Sequence, residues 1–249
     1  MKQLCLKKYF PVLCICLGAV FALLIGVFLE KKLTVQDADA TVMQNGNVIV
    51  LDAGHGGIDG GTSAKDGTVE KDINLAITQK LRDMLTLSGY QVVMTRDSDQ
   101  SIHSDEATTI HDKKVSDLKN RLSIMQTYPN GLFISIHQNH FLESKYSGAQ
   151  VFYSPNRSES ESLAEQIQSA FQEKLQSNNT RQIKPAGKDL YLMWNAKVPA
   201  VLVECGFLSN ETEAKLLSEE EYQQKVAFVI YCGILNFLQN GAEKSVTSQ

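Results

Sequence analysis

From Asn47 onward the chain alternates short apolar runs with stretches whose apolar residues recur at helical spacing, which is the signature of α/β layers. Val48–Asp52 reads as a first strand. Ile73, Ile77, Leu81, Met84 and Leu85 then mark one face of a helix that Gly89 stops. Gln91–Thr95 is a second strand, and Ser98–Lys114 a polar loop without apolar period. A helix from about Val115 to Gln126 leads into a strand at Leu132–His137, followed by another at Gly148–Tyr153. Glu159–Leu175 is amphipathic, with Leu163, Ile167, Ala170 and Phe171 on one side. Asn178–Lys188 reads as loop, Leu190–Trp194 as a short apolar segment, and Pro199–Glu204 as a buried strand. Helices at Glu211–Leu217, capped by Asn210, and Glu219–Leu238 close the domain. The pattern predicts a single α/β domain over 47–239, its mostly parallel or mixed twisted sheet flanked by helices on both faces, with a disordered tail over 240–249.

The N-terminal part has a different character. Tyr9–Leu29 carries no charge, and as a helix its 21 residues would extend about 31 Å, close to the hydrocarbon thickness of a bilayer. Lys2, Lys7 and Lys8 precede it, a bias that places the short 1–8 segment in the cytoplasm and the domain outside. A cleaved signal peptide is the rival reading, with Ala38-Asp39-Ala40 resembling a cleavage site. The anchor is preferred, because the apolar run exceeds a usual signal core. Both readings export the domain, with 30–46 as linker. Three of the five cysteines (Cys5, Cys14 and Cys16) belong to this segment, leaving only Cys205 and Cys232, too few for a disulfide framework. A net charge of -4 argues against nucleic acid as a partner.

Three of the predicted strands end in residues able to bind a metal or move a proton. His55 lies in the turn Gly54-His55-Gly56-Gly57 after the first strand, His137 ends Leu132–His137, and Glu204 ends Pro199–Glu204. Ligand sites of open α/β sheets lie outside the carboxyl ends of the strands, so all three would converge there. Glu70, at the start of the next helix, is by itself an ordinary favourable charge at a helix N-terminus. With two imidazoles it completes a recurrent catalytic zinc set that leaves a coordination position open. His140 would point to the opposite face from His137 if the strand continued, and Cys205 likewise from Glu204. A carboxylate at the end of a buried strand needs a counter-ion, a shifted pKa or a metal-linked role, and a general base would satisfy it. A structural ion pair is the alternative. His103 and His111 sit in the polar loop as candidate substrate contacts or solvated residues.

The segments Ile49-Val-Leu-Asp-Ala-Gly-His55-Gly-Gly, Glu70-Lys-Asp-Ile-Asn-Leu, Met94-Thr-Arg96, Ser135-Ile-His137 and Val203-Glu204-Cys-Gly-Phe-Leu-Ser-Asn210 occur in this order. Together they resemble the zinc-dependent N-acetylmuramoyl-L-alanine amidases of the amidase-3 type, and most of all their spore-cortex, germination-specific subgroup. The resemblance spans about Asn47 to Leu238. It implies one Zn²⁺ per chain held by His55, Glu70 and His137, Glu204 as the catalytic acid–base, and peptidoglycan as substrate. The scissile bond would be the amide joining N-acetylmuramic acid to L-alanine, cut for muramic-lactam formation in the cortex. Asn74, Asn139 and the Ser98–Lys114 loop are candidate glycan contacts by position. A zinc peptidase acting on wall stem peptides, or a silent wall-binding domain, is the alternative. No activating protein partner is identified from the residues.

Overall fold

The structure, a computed structural model, describes residues 48–247, with side chains to 240. Six strands form one mixed sheet in the order β2-β1-β3-β6-β4-β5. They are β1 (Ile49–Ala53), β2 (Val92–Met94), β3 (Leu132–Asn139), β4 (Gln150–Tyr153), β5 (Lys184–Pro185) and β6 (Ala200–Phe207). β2, β1, β3 and β6 run parallel, whereas β4 is antiparallel to β6 and carries β5 parallel to itself. The helices are α1 (Glu70–Leu87), α2 (Ile110–Thr127), α3 (Ser158–Lys174), α4 (Tyr191–Asn195), α5 (Glu211–Ser218) and α6 (Glu220–Thr247).

The strands are apolar on both faces because both are covered. Leu51, Ile134, Ile136, Val201 and Val203 pack with Ile77 and Leu81 of α1, Ile167 and Phe171 of α3, and Ile230 of α6. On the other face Val50, Phe133, Ala200 and Leu202 meet Met125 of α2 and Leu192 and Met193 of α4. Alternation along β3 and β6 sends Phe133, His137, Leu202 and Glu204 to this second face. Its covering helices are fewer, which leaves a crevice at the strand ends.

The expected mixed α/β architecture is therefore observed, with two departures. Helix α2 begins five residues earlier than predicted, inside the expected Ser98–Lys114 loop. Thr109 caps it, accepting from the Asp112 backbone N–H at 3.1 Å and donating to the Asp112 carboxylate at 2.6 Å. The rest of the loop is strapped to that helix: Asp117 accepts from the Ile102 N–H at 2.7 Å, and Asn120 donates to the Ile102 carbonyl at 2.6 Å. At the other end, α6 continues to Thr247 through the stretch expected to be a disordered tail. The Tyr9–Leu29 segment lies outside the described residues. Among the described residues no helix is long and apolar enough to cross a membrane.

Candidate metal centre

The turn after β1 presents His55 in a left-handed conformation, φ 63°, the only non-glycine residue with positive φ among those described. Such a conformation costs an L-residue roughly 1–2 kcal/mol, so the surroundings must hold it. Two buried guanidiniums do so through the backbone carbonyls. Arg121 donates to the His55 carbonyl at 2.6 Å and the Ala53 carbonyl at 2.8 Å. Arg96 donates to the Ala53 carbonyl at 2.9 Å and the Gly54 carbonyl at 3.0 Å. Neither role was foreseen from sequence, although Arg96 stands in the Met94-Thr-Arg96 segment and Arg121 follows Asp117 by one helical turn.

With the turn fixed, the imidazole is oriented by carboxylates on both sides. Its Nδ1 lies 2.8 Å from Asp59, which Lys114 also holds at 2.8 Å, and its Nε2 lies 3.3 Å from Glu70. Glu70, the first residue of α1, is buried beneath the crevice. Its Oε1 lies 3.0 Å from His137 Nδ1 and accepts from the Gln138 N–H at 3.1 Å, while Oε2 accepts from the Thr62 N–H at 2.9 Å. Ligand atoms of His55, Glu70 and His137 all lie within 4.8 Å of one another. Two donors bound tetrahedrally at zinc distances are about 3.4 Å apart, so the carboxylate-to-imidazole spacings here already match. Two nitrogens, one carboxylate oxygen and an open side toward the crevice suit a catalytic Zn²⁺.

The electrostatics of this pocket suit a cation. Burial works against the His55 imidazolium, but its bonds to Asp59 and Glu70 outweigh that and carry its pKa up to about 9. Burial also pushes the Glu70 carboxyl upward, and the two imidazoles overcome it, holding the acid well below the usual carboxylate range. A divalent ion bound in this anionic cradle would compete with protons for the same imidazole and carboxylate atoms.

Glu204 is the Cα partner of His137 across β3 and β6, and so shares its face. Gln138 Oε1 and Glu204 Oε2 are the buried side-chain oxygens without a hydrogen-bond partner among the described residues. Among the described residues no Lys or Arg forms an ion pair with Glu204, so the structural ion-pair alternative finds no partner there. Burial pushes its pKa up to about 7; the nearby imidazoles lower it and Glu70 raises it.

The other candidates separate cleanly. His140 is exposed and outside the cluster, and Cys205 is buried in the opposite core. His103 lies 2.8 Å from Ser101, and His111 is exposed on α2. Asn74, expected to touch glycan, is instead fully buried: it donates to the Gly54 carbonyl at 3.2 Å and Glu70 at 3.3 Å, and accepts from Gln138 at 3.1 Å. A helical position one turn after Glu70 brings it under the ligand rather than into the crevice. Asn139 is half-buried, its side-chain oxygen accepting from the His140 N–H at 2.8 Å.

Residues 49–236 match the family model described as N-acetylmuramoyl-L-alanine amidase. The chain belongs to this family. It is 40% identical over 193 residues to the germination-specific N-acetylmuramoyl-L-alanine amidase of Bacillus subtilis (strain 168), an alignment covering 78% of this chain and 80% of that one. The solved CwlD amidase of Clostridioides difficile, in complex with the GerS lipoprotein, superposes with a TM-score of 0.75 at 47% identity, covering 78% of this chain and 98% of that one. The catalytic domain of CwlV from Bacillus (Paenibacillus) polymyxa var. colistinus gives 0.65 at 30% identity, covering 78% and 98%.

Close packing around the ligands makes two glycines sensitive. A Cβ at Gly54 would overlap the His137 ring, and one at Gly61 would overlap the Glu70 carboxylate and reach His55 at 2.8 Å. Gly54→Ala is therefore expected to bind zinc at least about tenfold more weakly while the domain still folds, since overpacking costs typically 1–3 kcal/mol. Competition with a chromophoric chelator measures it; unchanged affinity would mean that the turn relaxes freely.

Proposed function

We propose that this chain hydrolyses the amide between N-acetylmuramic acid and L-alanine in peptidoglycan, with one Zn²⁺ held by His55, Glu70 and His137 and with Glu204 as acid–base. The observation that carries the reading is the clustered two-imidazole, one-carboxylate set beside a carboxylate with one buried, unpaired oxygen, in a chain of the amidase family. When bound, zinc supplies Lewis acidity toward the scissile carbonyl and an attacking water. Glu204 takes the proton released as the water attacks. It then gives that proton to the L-alanine nitrogen, a poor leaving group until protonated. Arg121 and Asp59 keep the His55 imidazole aimed at the ion.

The likeness to germination-specific relatives supports a role in the spore cortex, where removing the stem peptide prepares the muramic lactam. The uncharged Tyr9–Leu29 stretch fits a domain held at a membrane and working outside the cytoplasm. A relative solved with a lipoprotein supports a protein partner for this chain also.

The test is digestion of purified peptidoglycan followed by mass spectrometry. Release of stem peptides with intact L-alanine amino termini is expected, abolished by chelator and restored by Zn²⁺. Cleavage within the stem peptide instead would favour the peptidase alternative. His55→Ala and His137→Ala are each expected to lose most bound metal and turnover together, read by metal analysis of the purified domain; full metal content in either would remove that residue from the site.

A further inference from the structure

If Glu204 protonates the leaving nitrogen, the amine half of the substrate must lie on the Glu204 side of the scissile carbonyl. The acyl half then faces the other way, toward the small cavity of about 160 Å³ lined by His55, Ile58, Leu118 and Leu192. The stem peptide therefore leaves the centre across β6 and β4. On that side Gln150 is the Cα partner of Glu204, one strand spacing of roughly 4.8 Å away and on the same face. The Gln150 side-chain oxygen accepts from Arg181 Nη1 at 3.1 Å.

Arg181 is set in place. Its Nε donates to the Ser147 carbonyl at 2.8 Å, and its guanidinium lies 4.4 Å from the centre of the Phe207 ring. Those partners are neutral, and among the described residues no carboxylate stands in ion-pair contact with it. Glu213, which lines the same cavity and acts on Arg181 only through its charge, is engaged by the backbone N–H groups of Gly148 and Phe207 at 2.9 and 2.8 Å. Lys145, by contrast, is already paired with Glu143 at 2.5 Å. Nη2 of Arg181 has no partner among the described residues. Arg181 lines a cavity of about 430 Å³ together with Tyr146, Asn178, Asn179 and Glu213. A preorganised planar cation with a free edge is a carboxylate receptor.

We infer that Arg181 forms a subsite for the free α-carboxylate of the second stem residue, a γ-linked D-glutamate. This rests on the amidase reading. Two residues of extended peptide reach about 7 Å from the leaving nitrogen, the scale of the step from Glu204 past Gln150 to the guanidinium. The subsite would make the enzyme favour stems whose α-carboxylate is free over stems in which it is amidated.

The test compares muramoyl tetrapeptides with that carboxylate free or amidated, and the affinity of the corresponding released tetrapeptides by calorimetry. For the wild type, kcat/KM and peptide affinity are expected to favour the free acid by roughly tenfold, the scale of a charge-assisted hydrogen bond. The preference should shrink as salt is raised. Arg181→Gln should bring both ratios to about one, Arg181→Lys should keep part of them, and Lys188→Gln, outside the subsite, should leave them intact. A wild type with no preference overturns the subsite without any variant having to fold, and so does an Arg181→Gln protein that keeps the preference. Failure of the wild type to cleave either muramoyl peptide or whole peptidoglycan would sink the amidase reading instead.

Discussion

On the proposed mechanism, Glu204→Gln will bind Zn²⁺ as the wild type does and release stem peptide about 10²–10⁴ times more slowly, the range lost when a positioned proton carrier is removed. The substitution conserves shape and removes only the ability to accept and return a proton. The carboxylate is unusual in having a buried oxygen with no hydrogen-bond partner among the described residues. A buried carboxylate oxygen without a partner is costly, and the same burial lifts the pKa of Glu204 up to about 7, where it can serve as base and then as acid near neutral pH. Because the neutral amide carries no such penalty, the variant should melt no lower than the wild type. Loss of activity with retained metal and unchanged or higher melting temperature is the expected combination. Turnover within tenfold of wild type would assign the proton transfer to another group.

Much of this site was legible because parallel β-strands advertise themselves. Runs such as Leu132–Ile134 and Ala200–Val203 are apolar on both faces, so a polar residue toward their carboxyl end stands out. Glu70 was harder to read, since an acid in the first turn of a helix is favourable without any ligand. Only its combination with two histidines singled it out. What stayed hidden were groups acting on backbone. Arg121 and Arg96 hold the His55 turn by donating to carbonyls, and a carbonyl leaves no trace in the residue alphabet. Asn74 failed for a related reason, since an amide one turn from a ligand reads equally well as a substrate contact or as its support. The early start of α2 was missed because Thr109 and Asp112 sit in a polar stretch where capping residues resemble loop residues. The antiparallel setting of β4 was likewise open, because a four-residue run does not reveal its direction.

The sheet also separates the tasks of its two faces. Alternation places His137 and Glu204 over the crevice while their neighbours Ile136, Val203 and Cys205 fill the opposite core. A reactive centre can therefore stand on strands whose other side is among the most tightly packed parts of the molecule. Glu70 reaches it from α1 on the far face, passing beside the strand end where the register of β3 and β6 shifts between His137 and Asn139. The subsite inferred at Arg181 extends the same arrangement by one more strand, so that the ion, the proton carrier and the peptide anchor would follow the order β3, β6, β4.

The largest loss of stability is expected from Arg121→Met, by about 3–5 kcal/mol, because it strands buried acids rather than merely removing a bond. Arg121 and Asp52 are both nearly inaccessible, 2% and 1% exposed, and meet at 2.6 Å; Asp117 holds the same guanidinium from the preceding helical turn. Burial alone would raise the Asp52 pKa, yet the Arg121 charge and the hydroxyls of Ser135 and Thr95 hold it below its ordinary value. A carboxyl depressed in the folded state contributes stability above its unfolded pKa, near 4, and that contribution fades as pH falls through the lower folded value. The wild type should therefore lose this increment only below about pH 4. Arg121→Met should already lack it at neutral pH, and its melting temperature should depend less steeply on acid. Arg121→Lys keeps the charge for Asp52 but cannot span Asp52, Ala53 and His55 at once. It should recover part of the stability while still binding zinc more weakly, because the left-handed His55 turn loses its tether. Chemical denaturation across pH 3–8 and chelator competition measure the two effects separately. A lysine variant with full zinc affinity would show that the turn holds itself and that the arginine serves only its two acids.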